Sequence, residues 1–141
     1  MNPSHSPLLL SLLDKFAAAE CCWFASTRPD GRTHLAPIWH VWYDGAAYVV
    51  TKGDAVRVEN IRHNPRVSLS LPDPMNVFVI EGTARFAPEM EDALAPLFQV
   101  KFDWNIRTDP GYDTIIAVDP VKALAWGSHG EGRWHWTPNA E

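Results

Sequence analysis

The sequence predicts a mainly β fold: a six-stranded antiparallel β-barrel with peripheral helices, built from a single domain over residues 1–141. Three observations predict it. Six short stretches rich in β-branched and aromatic residues alternate apolar with polar or run apolar, as strands do. Turn chemistry separates several of them, at Pro29-Asp30-Gly31, Asp44-Gly45 and Asp109-Pro110-Gly111. Helical spacing is confined to three segments. A parallel α/β sheet would need a crossover helix between most strands, so that class is excluded. A chain of 141 residues suits one core of this kind.

Ser6-Pro7 opens the first element. Serine caps a helix through its hydroxyl and proline suits the first turn. Leu8, Leu9, Leu12, Leu13 and Phe16 then fall on one stripe, predicting a helix over residues 7–19. Residues 22–27 read as the first strand. The second covers residues 33–43, and Pro37 within it demands an edge position or a bulge because it cannot donate to a ladder. Asp44-Gly45 is hairpin chemistry, and residues 47–51 follow as the third strand.

Lys52-Gly53-Asp54 breaks the strand, and residues 55–64 read as a short helix with Val58 and Ile61 on one side. Pro65 ends it. Residues 67–71 and 77–86 are the fourth and fifth strands, with Gly82 expected to mark a bulge. A further helix begins at Pro88, with Glu89, Glu91 and Asp92 at its positive end and Pro96 expected to kink or split it. The sixth strand covers residues 114–126, interrupted near Asp119-Pro120. A tail follows that carries Trp126, His129, Arg133, Trp134, His135 and Trp136. It is expected to pack back on the barrel, since aromatic rings gain little from a frayed terminus.

Composition excludes several function classes. A formal net charge of −5 with no basic run speaks against a nucleic-acid partner. The apolar run at residues 8–13 is too short to span a membrane and lacks the basic flank of a secretory signal. Cys21 and Cys22 are neighbours on a strand and point to opposite faces, so they read as reduced thiols of a cytoplasmic protein. His5, His34, His40, His63, His129 and His135 have no zinc-site spacing, and no metal site is expected. No nucleophile motif is present, and the catalytic residues stay unassigned. Seven tryptophans are many for this length and point to a planar ligand or an interface.

One segment has chemistry of its own. Thr51-Lys52-Gly53-Asp54-Ala55-Val56-Arg57 leaves a strand and enters a helix. Amides at a helix start, with Lys52 and Arg57 beside them, suit a phosphate, and the guanidinium fork grips two oxygens. The same residues also read as a solvated turn with two surface cations, and Asp54 repels an anion.

The stretch from Trp23 to Phe86 resembles the pyridoxamine 5'-phosphate oxidase-like flavin-binding split barrels. The resemblance rests on Trp23-Phe24-Ala25-Ser26-Thr27-Arg28-Pro29-Asp30-Gly31-Arg32, then Ala36-Pro37-Ile38-Trp39 and Val49-Val50-Thr51-Lys52-Gly53. It continues in Asn60-Ile61-Arg62-His63-Asn64-Pro65-Arg66-Val67-Ser68-Leu69 and Glu81-Gly82-Thr83-Ala84. It implies a split barrel and a homodimer with two equivalent FMN sites between protomers. Lys52 and Arg57 would hold the phosphate. The backbone of Ala36, Pro37, Ile38 and Trp39, and of Val49, Val50 and Thr51, would line the flavin ring, and Trp126 of the other protomer would cover it. The loop departs from the family's pattern: Asp54-Ala55 stands where a serine is usual, and Arg57 where a lysine is. The longer C-terminal part that reads the vitamin phosphate in the true oxidases has no counterpart.

The function this implies is FMN-dependent oxidation or reduction of a small-molecule substrate. The cofactor carries the hydride chemistry, which fits the lack of a catalytic constellation. One alternative keeps the fold and takes the deazaflavin coenzyme F-420, whose longer acidic tail would need basic residues such as Arg57, Arg62 or Lys101. Another is a non-enzymatic flavin carrier, or a haem binder using a tail histidine.

Overall fold

The computed structural model describes residues 6–136; His5 lies outside them. Helix α1 (Pro7–Ala18) starts where expected, with the Leu9 amide donating to Ser6 Oγ at 3.2 Å. It buries Leu9, Leu12 and Phe16. The remaining elements are β1 (Cys21–Thr27), β2 (Thr33–Trp39), β3 (Val41–Tyr43), β4 (Ala46–Thr51), α2 (Val56–His63), β5 (Arg66–Ser70), β6 (Asn76–Phe86), α3 (Glu91–Phe102), β7 (Thr114–Gly127) and β8 (Gly132–His135). Short 3₁₀ turns precede and follow α3.

All ladders are antiparallel, in the order β2-β1-β5-β6-β7-β4-β3, with β8 added on β7. The first and last strands of this order are consecutive in the chain, separated by His40 alone. The sheet therefore closes on itself through a covalent bend, and the barrel is six-stranded if β2 and β3 are counted as one strand.

The expected strand over residues 33–43 is thus divided, and the reason is local. His40 is fully buried, with its ring stacked on Phe16 at 4.3 Å. Its Nε2 bonds the Phe16 carbonyl at 2.7 Å, and its own carbonyl accepts from Lys101 Nζ at 2.6 Å. Backbone and ring are committed to α1 and α3, so the strand forks there. The register Val41↔Tyr48 would set Trp39 and Ile38 opposite Val50 and Thr51, but β2 turns away to pair with β1.

Other expectations were met by their own chemistry. Pro37 lies on β2, which pairs on one side only. Asp44 and Gly45 have φ of 49° and 81°, the signature of a type I′ hairpin. At Gly82 the register shifts from Glu81↔Lys122 to Gly82↔Pro120, leaving Val121 as the extra residue. A Cβ on Gly82 would sit 2.5 Å from the Asp119 carbonyl, so only glycine permits this approach.

Three details differ. β7 is bulged rather than interrupted at Asp119-Pro120. Pro96 leaves α3 whole: the carbonyl it deprives is that of Asp92, an exposed first-turn residue that water can serve. The tail contributes an eighth strand, whose register Ala123↔Trp134 lays Trp134, with Trp136, against the core.

The interior of the barrel is filled by Phe16, Phe24, Leu69, Phe78, Ile80 and Ile116. A second cluster joins α3 to the outside of β4 and β7 through Tyr48, Val50, Leu94, Phe98 and Ile115. Burying an aromatic or aliphatic side chain of this size stabilises by about 1.5–3 kcal/mol, which is what holds both helices against the fork.

Candidate functional site

The fork opens into a cavity of about 910 Å³, within the usual range for small-molecule sites. Pro37, Ile38 and Trp39 line one side, and Val50 and Thr51 the other. Among the described residues each of these strand segments has one edge without a ladder: β2 pairs with β1 only, and β4 beyond Tyr48 pairs with β7 only. Splitting the strands leaves backbone N–H and C=O groups facing the gap, ready to read the edge of a flat heterocycle.

Lys52 and Arg57 lie at the same cavity. Lys52 leaves β4 and places its ammonium 5.5 Å from the Tyr112 ring centroid. Arg57 sits in the first turn of α2, which is docked by Val58 and Ile61 in the core and by an Asn60 Nδ2 donor to Ser26 Oγ at 2.9 Å. That docking buries Arg57 to 8% exposure, with its guanidinium 5.3 Å from the Phe24 ring centroid. Its Nε is buried without a hydrogen-bond partner, and no carboxylate among the described residues pairs with it. Burial holds its pKa below the ordinary guanidinium value. A charge taken from water without a counter-ion is costly.

The helix start supplies further donors. Ala55 caps α2 without a side-chain bond. The Ala55 amide is taken by the Lys52 carbonyl and the Val58 amide by the Ala55 carbonyl, both at 3.0 Å. Those of Val56 and Arg57 have no partner among the described residues. The Gly53 amide is already engaged: it donates to Asp113 Oδ1 at 3.0 Å.

An aromatic wall completes the site. Phe102 stacks on Trp39 at 4.5 Å with planes 2° apart. Trp104 meets Trp39 and Tyr112 edge-on, fixed by an Nε1 bond to Asp109 Oδ2 at 3.0 Å. Cys21, the neighbour of Trp39 across the β1–β2 ladder, adds a thiol to the lining. Cys22 points the other way into the core, where burial pushes its thiol up to about 12.

Of the ten residues the sequence singled out, seven line this cavity: Pro37, Ile38, Trp39, Val50, Thr51, Lys52 and Arg57. Ala36 lies one step along β2, paired with Phe24, and Val49 is fully buried in the barrel. Trp126 is at the opposite end of the β6–β7 ladder, paired with Val77, so within one protomer it does not approach the site. Phe102, Trp104, Asp109 and Tyr112 were not anticipated. The one available signal was the crowding of aromatic residues on both sides of the Asp109-Pro110-Gly111 turn.

No group of three or more potential metal ligands occurs among the described residues. His129, in the turn of the β7–β8 hairpin, and His135, at the end of β8, are not among the residues that line the cavity. No helix among the described residues is long and apolar enough to cross a membrane.

Comparison with known proteins agrees with this geometry. The pyridoxamine 5'-phosphate oxidase family matches residues 12–127. No curated protein matches the chain. Solved structures share the fold at low identity. An F420 reductase is 20% identical with a TM-score of 0.65, covering 78% of this chain and 94% of its own. A pyridoxamine 5'-phosphate oxidase-related, FMN-binding protein from Nostoc punctiforme is 14% identical with a TM-score of 0.67, covering 99% and 93%. A heme-binding protein from Mycobacterium smegmatis is 15% identical with a TM-score of 0.64, covering 85% and 54%. With more than three quarters of its length matched by the family, and with the fold shared by these solved structures, this chain belongs to the pyridoxamine 5'-phosphate oxidase family.

Proposed function

We propose that the forked cavity holds FMN and that the protein is a flavin-dependent oxidoreductase acting on a small molecule. The observation that carries this reading is Arg57, a buried cation that pairs with no carboxylate among the described residues, in the lining of an aromatic-walled cavity. An anion on the ligand satisfies it, and FMN joins one phosphate to one planar ring system. Arg57 and Lys52, with the amides of Val56 and Arg57, would hold the phosphate. The open edges of β2 and β4 would face the ring. Bound FMN supplies hydride transfer; the chain's part is to bind, orient and shield.

The deazaflavin alternative is less well supported, because the extra cations it would recruit are committed elsewhere. Lys101 donates to the carbonyls of Ala17 and His40, and Arg62 lies between Glu59 and the Phe86 ring.

The homodimer belongs to the same proposal. Trp23 (39% exposed), Leu35 (61%) and Trp126 (51%) share the outer face of the sheet with Val79 and Leu124. This apolar face runs on to Pro37 and Trp39 at the cavity, so a second copy seated on it adjoins the site. A cytoplasmic location fits the free thiols of Cys21 and Cys22.

Replacing Arg57 with Ala should weaken FMN binding by about 1.5–3 kcal/mol, the range for hydrogen bonds to a charged group. Quenching of flavin fluorescence on titration measures it, with circular dichroism to show that the fold is kept. Parent-like affinity would place the phosphate elsewhere and overturn the reading.

A further inference from the structure

The loop that faces the proposed phosphate already holds an anion of its own. Asp113 accepts from the Gly53 amide at 3.0 Å, and Thr114 Oγ1 donates to the same carboxylate oxygen at 3.0 Å. A Cβ on Gly53 would stand 3.1 Å from that oxygen, so the carboxylate presses close against the loop. Asp54 follows in the same loop and Asp109 lines the cavity beside it. The two cations of the site, Lys52 and Arg57, thus share it with Asp103 and Asp109 in its lining and with Asp54 and Asp113 in the adjoining loops. Beyond the one phosphate that Arg57 and Lys52 would hold, each further negative charge meets like charge from these carboxylates.

We propose that Asp113 is a specificity-determining residue, which holds an amide of the phosphate loop and makes the site select against ligands with more negative charge than one phosphate. This rests on the FMN reading and adds to it which anionic tails the site accepts. Asp113 is exposed, so its field is screened and its effect is graded rather than absolute.

The test compares three ligands on the parent and on Asp113→Asn, which keeps the acceptor for Gly53 and removes the charge. Riboflavin carries no phosphate, FMN carries one, and a deazaflavin coenzyme with an oligoglutamate tail carries several charges. Affinities are read by fluorescence titration at low salt. The variant should bind riboflavin as the parent does, FMN roughly two- to fivefold more tightly, and the polyanionic coenzyme by a larger factor, roughly tenfold. High salt should shrink these differences. Equal gains for all three ligands, or none, would overturn the role of Asp113 while leaving the FMN site standing. A parent that binds neither FMN nor riboflavin would overturn the FMN reading and this inference with it. Asp113→Ala, with thermal melting alongside, guards against a loosened loop: a lowered melting point with weakened riboflavin binding would mark Asp113 as structural only.

Discussion

Two basic side chains are withdrawn from water in this barrel, and they are used in opposite ways. Lys101, from the last turn of α3, spends its ammonium on protein carbonyls: Ala17 at 3.0 Å, at the end of α1, and His40 at 2.6 Å, at the fork. Arg57, at the start of α2, is more deeply buried, and among the described residues its Nε has no hydrogen-bond partner and its guanidinium no carboxylate. Burial lowers the pKa of both. The Lys101 corner bonds both sides of the split and wedges two strands apart, with only the buried Nδ1 of His40 left without a partner among the described residues. The Arg57 corner is unfinished and lies in the opening the wedge creates. Under the proposed function, stability is concentrated at one side of the fork and the capacity to bind at the other.

The largest test of this division is acid. Burial holds His40 down at about 4, against 6.5 for the open chain. Between those values the unfolded state takes the proton and the folded state does not. Stability is therefore full above pH 6.5, falls as pH drops toward 4, and levels below. The gap is worth about 3 kcal/mol. Urea melts across this window should show the loss, and His40→Gln should flatten it. An unchanged slope in that variant would mean that other groups carry the acid sensitivity.

A smaller effect is expected from Lys101→Met. It strips two carbonyls of their donor and should destabilise by about 2 kcal/mol, measured by urea unfolding. FMN affinity of the folded protein should change little. A variant that stays stable but loses the ligand would break the comparison, since Lys101 would then belong to the site.

The smallest effect is the most diagnostic. Arg57→Met removes an unpaired buried charge and keeps apolar volume, so the ligand-free protein should be as stable as the parent or more so, by up to about 1 kcal/mol. A clear loss of stability in the same unfolding assay would show that Arg57 is a structural cation like Lys101.

Much of the fold was legible in the sequence because it depends on short-range chemistry. Asp44-Gly45 carries its hairpin in two residues. Pro37 marks an edge wherever it falls in a sheet, and Gly82 marks a close approach. The fork at His40 was not legible, because it is made by groups 24 and 61 residues away. The four residues of β8 were too few to show a period. For the site, the strand-to-helix exit gave Lys52 and Arg57 as candidates for an anion. That Arg57 would be left without a partner depends on what the fold sets opposite it, which local sequence does not encode. The aromatic wall escaped for a related reason: Phe102, Trp104 and Tyr112 are brought together by an irregular loop that has no repeat to read.

The unpaired edges at the fork have a second side. Two strand margins open to water are a template for a stray β-strand, and proteins that leave them bare tend to stick to one another. Here Pro37 offers no amide on the β2 margin, and the loop after α3 brings Phe102 and Trp104 against Trp39. An extended peptide meets a missing donor and a bulky ring where it would need a continuous rail. A flat heterocycle such as the proposed ligand needs only a few contacts in one plane. Under that proposal the seam would work as a sieve for shape, admitting a plate and turning away a ribbon.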